Sequence, residues 1–362
     1  MDVSALQIKS GGLLNVSYQE VTVEFIKNRL EPFLKVHGSN VLEVELSGNQ
    51  WGVPHAESFC DLCMPYLVNL TKMELRDNRL GTCGWQSFQR AIISHCSNSI
   101  RYLDLSENNI YDEGGILVAQ LLSQAPRLSV VLLITNQLSK HGVAPMCSKI
   151  HRLTELRLDG NSLRDAGAVM VCAAACPMLK HFSLSDNHIG DDSARSIAVW
   201  LSDTNCSLTH LNLSVNKIGP EGFTAIAEAL ARPRSCRSLK VLDLACNEPE
   251  SAGILAVAQH IGQWRGVEQL DLTANKICNQ DMLVIIARIS ENSGLCSVCS
   301  MEWYNNPAVL PATEKKLLEV LQHSAEKIEE AKSLEARALE LKVIVGWLLI
   351  VAVALMWRKT LF

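Results

Sequence analysis

One frame, L-x-x-L-x-L-x-x-N-x-L, returns along most of this chain and constrains its fold more than any other feature. It is clearest in LTELRLDGNSL (153–163), LKHFSLSDNHI (179–189), LTHLNLSVNKI (208–218) and VEQLDLTANKI (267–277). Aligned on its asparagine, the frame recurs at Asn49, Asn78, Asn108, Asn136, Asn161, Asn187, Asn216, Asn247 and Asn275, in steps of 25 to 31 residues. Apolar residues at alternate positions before the asparagine predict a short strand buried on one face. The asparagine then turns the chain inward, its amide able to bond backbone groups of neighbouring units. Six positions later stands Gly84, Gly114, Gly142, Gly167, Gly222 or Gly253, where a helix is expected to begin after a tight turn. Runs such as FTAIAEALA (223–231) and ILAVAQHI (254–261) follow, with apolar residues at three- and four-residue steps. One strand and one helix cannot bury their faces alone, so the units must stack.

The pattern over about residues 41–292 resembles leucine-rich repeats, and the repeat length with a full helix resembles the ribonuclease-inhibitor type. That resemblance implies an α/β solenoid, a horseshoe with parallel strands on the concave wall and helices outside. The expected division is an N-terminal cap at 1–40, about nine repeats over 41–294, a C-terminal cap and linker at 295–311, a helical stalk at 312–342, a transmembrane helix at 343–357 and a basic tail at 358–362. In the first cap Val3, Leu6, Ile8 and Leu13 keep a worn frame with Gly11 in the asparagine slot; at the other end LCSVCSMEWYNNP (295–307) starts the frame and then loses it.

Composition excludes rather than selects. Apolar residues are 48% of the chain, charged residues 20%, and a net charge of −5 gives no reason to expect nucleic acid. The first residues lack the charge and apolar core of a secretory signal, and thirteen scattered cysteines suit a reducing compartment. Cys60-Asp-Leu-Cys63 and Cys296-Ser-Val-Cys299 have metal-ligand spacing, but they fall in the first and last units and are too far apart to share one ion. Cys172, Cys176, Cys206, Cys236, Cys246 and Cys278 read as small apolar core residues. No nucleotide loop, nucleophile elbow or metalloprotease motif is present, so neither catalysis nor a cofactor or metal is expected.

The candidate site is the concave wall. Its outward positions carry Glu43, Glu45, Glu74, Asp104, Glu155, Asp159, Asp243 and Asp271 against Lys72, Arg76 and Arg157, which makes an acidic stripe suited to a basic protein surface, or merely a soluble one. In LSVVLLITN (128–136) the outward positions are Val130, Leu132 and Ile134, so that strand is apolar on both faces. Beside Tyr102 and Arg157 these three either anchor a partner or lie under a neighbouring loop. The partner-binding candidates are therefore Tyr102, Val130, Leu132, Ile134, Arg157, Glu45, Glu74 and Asp104.

The stalk's apolar or small positions, Leu317, Leu321, Ser324, Ile328, Ala331, Leu334, Ala338 and Leu341, form one helical stripe, suited to folding back on the horseshoe or to a weak homodimer. Residues 343–357 are fifteen apolar or small residues between Lys342 and Arg358. As helix they reach about 22 Å, short of a typical bilayer core, but flanking basic residues can snorkel and Trp347 and Trp357 can mark the interface. The expectation is a single-pass tail anchor in a lipid bilayer with the repeats in the cytosol, at the mitochondrial outer membrane ahead of the endoplasmic reticulum. The leading functional expectation is a membrane-tethered adaptor or scaffold that binds protein. The alternatives are a GTPase-activating regulator resembling Ran GTPase-activating proteins, with Arg76 and Arg79 as the comparable pair, or a sensor resembling the repeat end of NOD-like receptors.

Overall fold

The structure, a computed structural model, describes residues 6–174, 176–292, 296–306, 309–330 and 333. Twelve short strands form one sheet in chain order. They are β1 (Ile8–Lys9), β2 (Leu13–Asn15), β3 (Glu43–Glu45), β4 (Lys72–Glu74), β5 (Tyr102–Asp104) and β6 (Val130–Leu132), then β7 (Glu155–Arg157), β8 (His181–Ser183), β9 (His210–Asn212), β10 (Val241–Asp243), β11 (Gln269–Asp271) and β12 (Ser300–Glu302). From β2 to β12 every neighbouring pair is parallel, with a helical segment or helix crossing over between strands, so the array is a layered stack of strand and helix units.

The middle residue of each strand points into the core: Val44, Met73, Leu103, Val131, Leu156, Phe182, Leu211, Leu242 and Leu270 are all buried. Against them lie the inner faces of the helices, such as Phe223, Ile226, Ala227 and Leu230 of Pro220–Ala231. Each fully buried aliphatic side chain contributes on the order of 1.5–3 kcal/mol, and the stack repeats that gain at every unit.

The asparagines form a continuous ladder. Asn108 is typical: its side-chain amide donates to the carbonyls of Leu75 (2.8 Å), Leu105 (3.0 Å) and Ser106 (2.9 Å), while its carbonyl accepts the backbone N–H of Asn78 at 3.1 Å. Each rung thus satisfies buried backbone groups of its own unit and the preceding one.

The repeated glycines lie where a helix begins: Gly222 is in the first turn of its helix, and a Cβ there would stand 2.6 Å from Asp191 Oδ1 and 2.7 Å from Ala194 Cβ. Close helix-to-helix approach, not a left-handed backbone, requires glycine here.

The array also extends beyond the expected ends. Gly11 does not occupy an asparagine slot; with Gly12 it turns an antiparallel hairpin, Ile8 opposite Leu14, and both glycines have positive φ. The parallel register starts with Leu14 beside Val44, which puts Gln19 in the slot, its N–H donating to Asn49 Oδ1 at 3.1 Å. At the far end the frame is kept: Met301 pairs with Leu270, and Asn306 accepts the N–H groups of Asn275 (3.0 Å) and Ile277 (2.9 Å).

Helix 311–330 closes that end. Leu317, Leu321 and Ser324 are buried, Trp303 Nε1 donates to Glu314 Oε1 at 3.3 Å, and Ser324 Oγ donates to the Val298 carbonyl at 3.1 Å. The first half of the stripe is therefore spent on the chain's own last repeat, as the fold-back alternative expects, and not on a dimer seam. The rest of that stripe past residue 330, the expected transmembrane helix 343–357 and the tail 358–362 lie outside the described residues. Among the described residues no helix is long and apolar enough to cross a membrane.

Candidate functional site

The parallel register lines up two rows of outward side chains on the concave wall. One runs Glu43, Lys72, Tyr102, Val130, Glu155, His181, His210, Val241; the other runs Glu45, Glu74, Asp104, Leu132, Arg157, Ser183, Asn212, Asp243. All eight candidate residues lie on this wall: seven on β3 to β7, and Ile134 just past the end of β6.

The acidic end is built around one cation. Lys72 Nζ sits 2.8 Å from Glu74, 3.9 Å from Glu43 and Glu45, and 5.2 Å from the Tyr102 ring centre. Partial burial acts against its charge, but Glu74 and the two other carboxylates hold the ammonium pKa above its ordinary value. Tyr102 is pushed the same way by burial and by Asp104 and Glu74, so its hydroxyl stays protonated.

Asp104 differs from its neighbours. It is only 8% exposed, and its Oδ1 accepts the N–H of Ser106 at 2.8 Å. Burial raises its pKa despite that bond. Asp243 and Asp271 make the same contact to Ala245 (3.0 Å) and Thr273 (2.8 Å). These three carboxylates hold the backbone turn leaving the strand, a local side-chain bond that a sequence count of charges does not distinguish from free acidity. The stripe is acidic mainly at Glu43, Glu45 and Glu74.

The apolar step divides. Leu132 is 8% exposed, while Val130 and Ile134 are half-buried. Arg157, beside Leu132 in register, donates from Nε to Glu155 Oε1 at 2.7 Å. Next to this step is a hollow of about 420 Å³ lined by Ile134, Arg157, Asp159, His181, His210, Asn212 and Asp243, among others. The His181 and His210 rings lie 4.4 Å apart, and burial, His181 and Arg157 lower the His210 pKa. Neither histidine is among the eight sequence candidates; their shared strand position, paired in register on β8 and β9, is the signal that could have found them.

Arg76 donates from Nε to Glu107 Oε1 at 3.0 Å. Among the cysteines, Cys60, Cys63, Cys172, Cys176, Cys206, Cys236 and Cys296 are buried, but Cys246 is exposed and Cys278 half-buried, which corrects the core reading for those two. Cys246 occupies the left-handed position before its asparagine, and Cys278 Sγ accepts the Asp281 N–H at the start of a helix. Among the described residues no group of three or more His, Cys, Asp or Glu is placed to hold a metal ion.

The family profile described as "Leucine Rich repeat" matches residues 96–119, 151–172, 175–198, 204–227 and 235–258. Ribonuclease inhibitor of Sus scrofa is 28% identical over 200 residues, 53% of this chain and 43% of that protein. NACHT, LRR and PYD domains-containing protein 12 of Mus musculus is 27% identical over 256 residues, 68% of this chain and 24% of that protein. NACHT, LRR and PYD domains-containing protein 3 of Homo sapiens is 28% identical over 216 residues, 57% of this chain and 20% of that protein. The chain thus spans less than half the length of each of these relatives. The matched residues thus carry leucine-rich repeats, and the same unit of strand, asparagine and helix recurs in one register over the whole parallel sheet.

Proposed function

We propose that this chain is a non-enzymatic binding module that seats a protein partner on its concave wall around β6, and that residues 343–357 hold it at a membrane with the repeats facing the cytosol. The observation that supports the binding reading most is the half-buried pair Val130 and Ile134. A solvent-facing wall ordinarily carries polar side chains, and an apolar step flanked by Tyr102 and Arg157 has the composition of an interface centre. Glu43, Glu45 and Glu74 on one side favour a partner presenting Lys or Arg there.

The membrane reading comes from the sequence run 343–357 and its basic flanks, with the mitochondrial outer membrane placed before the endoplasmic reticulum because the run is short. The likeness to NACHT, LRR and PYD proteins favours a second reading, a repeat array of a sensor, which uses the same wall. The GTPase-activating reading is weakened at Arg76, whose guanidinium would first have to leave Glu107.

A photo-crosslinking residue at Ile134 tests the wall, with one at Val199 on the outer helices as control. A partner captured from Ile134 alone supports the reading; capture from Val199 alone moves the site to the convex side. Alkaline carbonate tests the tether: full-length chain released from membranes sinks it.

A further inference from the structure

The two long edges of the array differ in charge. Helices start on the edge where strands end, and there Asp165 and Asp191 cap the next helix, Asp165 accepting from Gly190 N–H at 2.8 Å and Asp191 from Gly219 N–H at 2.7 Å. On the opposite edge, the connections entering β5 to β11 carry ten Lys and Arg against two carboxylates, Asp203 and Glu268. Glu268 is bound to Lys240 at 2.9 Å. Arg101, Arg127, Lys149, Lys180, Arg234 and Arg237 form no ion pair among the described residues. The helix dipole favours cations only within the last turn of each helix, so it explains part of this charge. The connection RPRSCRSLK (232–240) carries four, with Arg234 exposed beyond the helix end at Ala231.

The closing helix joins the two edges. Leu310 N–H donates to Asn279 Oδ1 at 3.0 Å on the acidic side, where a helix starts. Ser324 Oγ meets the Val298 carbonyl on the basic side, just before β12. Helix 311–330 therefore crosses the end of the array from the acidic to the basic edge, and residue 330 lies about 9 Å of helix beyond Ser324. Residues 331–342 span at most about 40 Å before the apolar run begins.

We propose that the basic edge lies against an anionic lipid surface, with acidic headgroups as its ligand. The repeats would then stand edge-on to the bilayer, leaving the concave wall open to a partner approaching along the membrane. This rests on the reading of 343–357 as a membrane segment.

The test uses the full chain reconstituted with vesicles of phosphatidylcholine alone or mixed with phosphatidylserine, followed by amide hydrogen exchange. Connections 176–180 and 232–240 should exchange more slowly on the anionic vesicles only, while 246–250 on the other edge should not change. Raising salt from ~0.1 M to ~1 M, which shortens the screening length from about 10 Å to about 3 Å, should abolish the protection. Arg234→Ala and Arg237→Ala should each reduce it about five-fold, the share of one basic residue near an anionic leaflet. Chain retained on both vesicles with no difference at these connections overturns the proposal and leaves the tether standing; an acidic protein would then be the ligand for this edge. Salt-sensitive binding to anionic vesicles without retention on neutral ones keeps the basic edge as a lipid surface and removes the tether. Binding to neither removes both.

Discussion

The side-chain carbonyl of Asn136 accepts the backbone N–H of Asn108 at 3.1 Å, and that bond is one rung of a ladder that ties each repeat to the next. Replacing Asn108 by Ala would strand buried donors and acceptors in two repeats at once. Each orphaned group costs about 1–3 kcal/mol, so Asn108→Ala should lose at least about 3 kcal/mol in urea unfolding. Asn306→Ala removes as many bonds, but from the terminal rung, where the last repeat can fray without unfolding the rest, so it should lose less. Equal losses would mean that the ladder is not what couples the repeats.

Val215 provides a test of opposite sign. It precedes Asn216 with φ +54° and is 48% exposed, so a β-branched residue holds a left-handed backbone with little packing in return. Asn tolerates that region, and Val215→Asn should gain about 1 kcal/mol. Val199→Asn, an exposed valine inside a helix, should gain nothing, and equal gains at both sites would point to the added polar group itself as the cause.

These positions mark what the sequence made legible. The repeat frame, the strand centres and the asparagine rungs follow from spacing alone, because apolar alternation and a buried amide leave few other residues possible. The ends escaped because Met301 and Trp303 stand where the frame has leucines, and because the Gly11–Gly12 hairpin has no counterpart within the array. Asp104 was legible as an outward acid, but not its bond to Ser106, since charge type does not reveal whether a carboxylate faces water or its own backbone. The hollow beside Ile134 depends on the register of five strands, which no single repeat encodes.

Two aspartates should make opposite contributions to stability as pH changes. At Asp165 burial would raise the pKa, but bonds from Ser193 and Gly190 outweigh it and hold it below the ordinary value. Its contribution is therefore full at neutral pH and is lost as pH falls from about 4 through the folded-state pKa. Asp165→Asn should be less stable than the parent at neutral pH, with the gap closing in acid. Asp104 is raised by burial, so its charge costs stability once pH exceeds the unfolded value of about 3.9. Asp104→Asn, which keeps an acceptor for Ser106, should gain stability at neutral pH and show no gain below about pH 4. Melting curves across pH that move in one direction for both variants would contradict the opposed environments of the two carboxylates.

The binding wall is tested by separating what Leu132 and Ile134 do. Leu132 is covered, so Leu132→Glu buries a carboxylate and should cost several kcal/mol, making loss of partner capture uninformative there. Ile134 is half-buried at the rim of the hollow, so Ile134→Glu should stay within about 1 kcal/mol in melting while reducing capture at least ten-fold. Charge reversal at Glu45 and Glu74 is the companion measurement. Both carboxylates surround Lys72, so reversing them leaves three cations together and should repel a basic partner; in the parent, capture should weaken as salt rises. A well-folded Ile134→Glu variant that captures its partner as the parent does would move the site off β6. Capture indifferent to salt and to both reversals would remove the basic-partner reading while leaving an apolar one at Ile134.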